Sequence, residues 1–101
     1  MNIHMVEPLN NFVKLPDHQW ESGCWAIEES KARDLVGGEI YFHKKQQEPS
    51  FFGGIITGYR IAEDEQNHKK VVFTLQYKED CRNVRTDKNG WSKRMKIISQ
   101  E

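Results

Sequence analysis

Six side chains could act as metal ligands or as a nucleophile with its base: His4, His18, His43, His68, Cys24 and Cys81. Metal binding needs ligands that converge, and neither a CxxC nor an HxxxH spacing occurs among them, so no metal site is expected. Cys24 with His43 would form a nucleophile and base only if the fold joined them. The simpler reading makes Cys24 a small buried residue between Gly23 and Trp25. Lying far apart, the two cysteines read as reduced thiols. Glu28-Glu29 and Glu63-Asp64-Glu65 sit in polar contexts and read as solvated surface rather than acid and base pairs. Gly37-Gly38 and Gly53-Gly54 lack the GxGxxG and GxxxxGK spacings that cradle phosphate, and read as turn and bulge glycines. No catalytic residue and no cofactor is assigned on these grounds.

Aromatic residues beside polar groups carry more information. Trp20, Trp25, Tyr41 and His43 fall at or near strand ends around a short helix, and Tyr41 and His43 share one strand face. Such a group can line a slot where a planar base stacks and is held by hydrogen bonds to its edge. The competing reading puts Trp25 and Tyr41 in the core and His43 at the surface.

The elements that must position these residues centre on residues 35–61. Ile40-Tyr41-Phe42 reads as one strand, and the run opened by Gly53-Gly54 and continued through Ile55, Ile56 and Thr57 to Ile61 reads as the next. A polar loop containing Pro49 joins them. Residues 30–36 read as a helix of two turns, with Ser30 as cap, Ala32, Leu35 and Val36 as apolar stripe, and Gly37 as left-handed stop. Upstream, Phe12 to Leu15 reads as a short strand, and the second half of residues 20–27 as another, with Trp25 and Ile27 on one face. Residues 1–11 show no sustained period and are expected to be a loosely attached arm, leaving 12–101 as a single β-rich domain. Residues 62–70 read as an exposed charged loop. Val71 to Tyr77 alternates cleanly and is the clearest strand, with Phe73, Leu75 and Tyr77 facing the core. Asn89-Gly90 predicts a hairpin joining residues 82–86 to 91–98, with Trp91, Lys93, Met95 and Ile97 inward. The expected fold is α+β, mostly β: a small, mainly antiparallel barrel or curled sheet with one short covering helix.

At 101 residues the chain has room for one core. Apolar residues make up 37 %, charged residues 30 %, and the mean hydropathy is −0.82. No apolar run approaches the roughly 20 residues of a membrane span, and the first residues lack a basic start followed by an apolar block, so a cytoplasmic protein without membrane partners is expected. The formal net charge is zero, which argues against attachment to nucleic acid by bulk charge. Its distribution is uneven. Residues 1–65 carry six Lys and Arg against eleven Asp and Glu, a net of −5, and residues 66–101 carry nine against four, a net of +5.

Residues 20–58 resemble the middle of the EVE and PUA-like β-barrel domains. The likeness rests on Ser30-Lys31-Ala32-Arg33 on the helix, Gly38-Glu39-Ile40-Tyr41-Phe42-His43 on a strand and Gly53-Gly54-Ile55-Ile56-Thr57-Gly58 on the next. Glu39 stands where the family carries aspartate. The chain also resembles small uncharacterised proteins of integron gene cassettes, a likeness that implies no activity. The PUA-like resemblance implies a pseudobarrel that binds nucleic acid or a modified nucleobase between the helix and the central strands, without catalysis. Trp20, Tyr41, His43 and Ser50 would line the pocket. Arg82, Arg85, Lys93, Arg94 and Lys96, in the basic last third, would contact phosphates. A different class of function is a small protein-interaction domain, such as a homodimer formed through a strand edge or Phe51-Phe52.

Overall fold

The computed structural model describes residues 1–99. Seven strands, β1 (Asn2–Val6), β2 (Phe12–Lys14), β3 (Gln19–Trp25), β4 (Glu39–His43), β5 (Ser50–Glu63), β6 (Lys69–Tyr77) and β7 (Met95–Ile98), form one sheet in the order β2-β3-β6-β5-β4-β1-β7. One helix, α1 (Glu29–Leu35), lies between β3 and β4 in the chain. All pairings are antiparallel except β1 with β4. The sheet is curled but not closed into a barrel.

Length alone forces the curl. Fourteen residues of β5 would run about 46 Å if straight, at ~3.3 Å per residue, whereas the molecule measures 34 Å along its longest axis. Bulges in the β5–β6 pairing between Ile56 and Gly58, and in the β3–β6 pairing between Ser22 and Trp25, supply the bends. Gly53 and Gly54 are not the bulge: both lie in regular register opposite Tyr41 and Ile40. A Cβ at Gly54 would collide with the Gln76 carbonyl, and one at Gly53 with the Ile40 carbonyl and the Cys81 side chain.

Curling brings Ile3, Met5, Ile40, Phe42, Ile56, Val71, Phe73 and Leu75 onto one concave face, which Ala32 and Leu35 of α1 cover. The helix begins two residues earlier than a cap at Ser30 predicts, with Glu28 at the cap position and no side-chain bond, so Ser30 is no cap. Gly37 does supply the left-handed stop, at φ +92°. Its N–H then bonds the Ile56 carbonyl, tying the helix end to β5.

Three expectations need correction. Residues 1–11 are not a loose arm, because Asn2–Val6 is an interior strand between β4 and β7 with Ile3 and Met5 fully buried. Its partners are remote in sequence, and the alternation of Ile3 and Met5 with Asn2 and His4 lasts only four residues before Val6 breaks it. Trp25 ends β3 rather than opening a strand with Ile27, and its indole N–H donates to Ser22 Oγ at 3.0 Å. The predicted final hairpin is absent among the described residues: residues 82–86 form no strand, and β7 pairs with β1 instead.

Gly90 keeps a role without the hairpin. Its φ is +88°, and an added Cβ would meet the Lys96 stem at 3.4 Å. Gly90→Val is expected to lower stability by about 1 kcal/mol or more, which for a domain this size lowers the melting midpoint by roughly 4 to 8 °C. An unchanged midpoint would show that the turn tolerates a β-branched residue.

Candidate functional site

Strand alternation sorts the expected pocket residues onto opposite faces. Trp20, opposite Leu75 in the β3–β6 register, belongs to the concave side. Tyr41 and His43 point the other way, with His4 of β1. Buried His4 and His43 form a layer there with half-buried Tyr41 and Trp91: His4 stacks on Tyr41 at 4.5 Å between centroids, and Trp91 meets His43 edge-on at 5.7 Å. Trp91 lies against both His4 and His43, so it is not on the core side as its spacing predicts.

That layer is structural in its chemistry. His43 Nδ1 lies 2.8 Å from the Glu48 carbonyl, which accepts only, so Nδ1 carries the proton and donates. His43 Nε2 then accepts from His4 Nδ1 at 2.8 Å. Burial, followed by the charges of His43 and Lys96, holds His4 down at about 4; burial also lowers His43. Ser50 is buried and its hydroxyl is spent, donating to the Cys81 carbonyl at 2.6 Å and accepting from Val84 N–H at 2.9 Å. Cys81 donates to Glu39 Oε2 at 3.1 Å, and burial, with that bond, pushes its thiol up to about 12. Such a thiol is a poor nucleophile. Cys24 is exposed, not buried as its neighbours suggest, and two strands separate it from His43 in the sheet.

The open feature is elsewhere. Phe12, Trp20, Phe51, Phe52 and Tyr77, from the four adjacent strands β2, β3, β5 and β6, wall a cleft of about 480 Å³. Phe52 is its hub: Trp20 meets it edge-on at 5.4 Å, Tyr77 stacks at 5.4 Å, and Phe12 lies at 4.9 Å. All five aromatics are half-buried, so each keeps surface for a guest. Asn10, Lys14, His18 and Arg82 form the rim, and no carboxylate lines the cleft among the described residues. Lys14 Nζ sits 5.9 Å from the Trp20 ring, and Lys44 Nζ lies 4.3 Å from Phe51 on the far side.

Of the residues singled out from sequence, Trp20 and Arg82 meet here, and Tyr41, His43 and Ser50 do not. Arg85, Lys93 and Arg94 are exposed outside the cleft. Lys96 is buried, its ammonium held by Thr86 Oγ1 at 2.7 Å and Asp87 Oδ1 at 2.8 Å, so it ties residues 82–94 to β7 and is not free to meet a phosphate. Sequence reading missed Phe12, Phe52 and Tyr77 as partners of Trp20. Each falls at a strand end, but only the strand order brings those ends together.

No group of three His, Cys, Asp or Glu side chains among the described residues is placed to hold a metal, and no helix is long and apolar enough to cross a membrane. Fold and cleft together define a mostly-β domain with an open, curled seven-stranded sheet and an aromatic cleft at one end of its concave face. In comparisons with known protein families, curated proteins and solved structures, the chain matches none.

Proposed function

We propose that this chain is a non-enzymatic binding module of PUA-like type that takes a base of single-stranded nucleic acid, or a modified nucleobase, in the aromatic cleft. One observation carries the reading: five aromatic side chains converge on an open cleft with Lys14 and Arg82 on its rim and, among the described residues, no carboxylate. A planar ring gains stacking on such walls, and an attached phosphate gains Lys14 and Arg82. The cleft volume falls within the range of small-molecule sites. The resemblance of residues 20–58 to EVE and PUA-like domains supports the same ligand class, with the pocket moved from the helix to the strand ends.

Titration of mononucleotides and short single-stranded oligonucleotides, followed by tryptophan fluorescence at low salt, tests this. Quenching that saturates and weakens steeply with added salt is the expected result. A folded protein showing no binding at millimolar ligand overturns it.

A second reading, a small protein-interaction domain, draws on the free edge of β2, where Val13 is 58 % and neighbouring Leu9 is 72 % exposed. Phe51 and Phe52, the other surface such a partner could use, are half-buried and pack against Phe12. Association that survives high salt would favour this reading.

A further inference from the structure

A second cleft adjoins the aromatic one. It is lined by Lys44, Glu48, Glu79, Arg82 and Asn83 and shares Phe51 and Arg82 with its neighbour, so the two chambers meet across one ring and one guanidinium. Their linings differ in kind. The first is aromatic with a cationic rim, whereas the lining of the second includes two carboxylates as well as two cations.

Those carboxylates are unspent. Neither Glu48 nor Glu79 makes a side-chain hydrogen bond or ion pair among the described residues, and both are exposed in the cleft wall. Lys44 is partly engaged, by Asn10 Oδ1 and by the Phe51 face. A phosphate placed in this chamber would face Glu48 and Glu79 as well as Lys44 and Arg82, and would gain little. A sugar suits it better. Carboxylate oxygens only accept, and a sugar hydroxyl supplies the matching donor, while the Lys44, Arg82 and Asn83 donors can reach its oxygens. The geometry points to a ribose subsite: with a base on Trp20 and Phe52, the polar chamber across Phe51 receives a ribose and its 2′-hydroxyl donates to Glu48 or Glu79. This rests on the nucleic-acid reading above, and it deepens that reading to RNA in preference to DNA, since the 2′-hydroxyl is the group that separates them.

The test compares AMP with dAMP, and a short oligoribonucleotide with the oligodeoxyribonucleotide of the same sequence, at one low salt concentration. The ribo ligand is expected to bind about tenfold tighter, the usual worth of one hydrogen bond to a charged acceptor. In a Glu48→Gln, Glu79→Gln double variant, whose changes are exposed and isosteric, the two sugars are expected to bind alike. Saturable binding with no sugar preference in the native chain overturns the ribose subsite and leaves the aromatic cleft standing. A preference that persists in the double variant overturns the assignment to these carboxylates. Failure of both sugars to bind removes the nucleic-acid reading and the subsite with it.

Discussion

Acidification from about pH 7 to about pH 5 is expected to lower the stability of this fold by about 2 kcal/mol, through protons that the buried His4 and His43 pair refuses. His43 Nδ1 is committed to the Glu48 carbonyl, and the single proton between the rings lies on His4 Nδ1. A proton on His43 Nε2 would set two N–H groups against one another at 2.8 Å, and burial opposes a second proton on His4. Facing the pair are Tyr41 from β4, Lys96 from β7 and Trp91 from the segment before β7. None is a carboxylate that would welcome a second charge.

The sign follows from His4, whose folded value of about 4 lies below its ordinary 6.5. Between those values the unfolded chain binds more protons, so stability is complete above 6.5 and is lost as pH falls toward 4. The full loss is about 3 kcal/mol, at ~1.4 kcal/mol per unit, and His43, lowered in the same direction, adds to it. Glu39, held down first by its bond from Cys81, loses its contribution only below its ordinary value of 4.5. The window above that value therefore isolates the histidines. Urea unfolding midpoints measured across it should fall with pH, and His4→Gln with His43→Gln should flatten the slope. Should that variant not fold, NMR titration of the two imidazoles in the native chain gives the same answer. Equal midpoints at both ends of the window would refute the mechanism.

How far the sequence disclosed this molecule depended on whether an element's burial has local causes. β6 was legible because Val71 to Tyr77 alternates against a core on one face only. β4, β5 and α1 were legible for similar reasons, since Gly37 and the β-branched runs mark them locally. β1 was not, because Ile3 and Met5 alternate with Asn2 and His4 for only four residues before Val6 breaks the pattern, and its sheet partners β4 and β7 are remote in sequence. Trp91 and Lys96 were not legible either. Their spacing suits a regular strand, yet one packs on histidines and the other closes on Asp87. Trp20 stood out by type as a candidate, and its convergence with four aromatic neighbours did not, because the strand order that gathers them is a long-range property.

Binding should depend on Trp20 and Arg82 and be indifferent to Tyr41, which is the sharpest consequence of placing the site at the strand ends. Trp20→Ala removes one wall of the cleft and is expected to weaken binding of a single-stranded oligonucleotide by about 1 to 3 kcal/mol, the usual worth of one stacking partner. Because Trp20 also packs edge-on against Phe52, the alanine variant needs a companion. Trp20→Phe keeps a ring on the wall and should recover much of the affinity while leaving the unfolding midpoint near that of the native chain. Arg82→Ala and Lys14→Ala act through charge instead. Each is exposed and unpaired among the described residues, so each should reduce affinity evenly across sequences and flatten the salt dependence by about one counterion. Arg94→Ala, exposed but outside the cleft, should change neither. Tyr41→Ala should lower stability, by opening the layer beneath His4, and leave affinity unchanged once the protein is folded. The reverse pattern, with affinity lost in Tyr41→Ala and kept in Trp20→Ala, would move the site to the other face of the sheet.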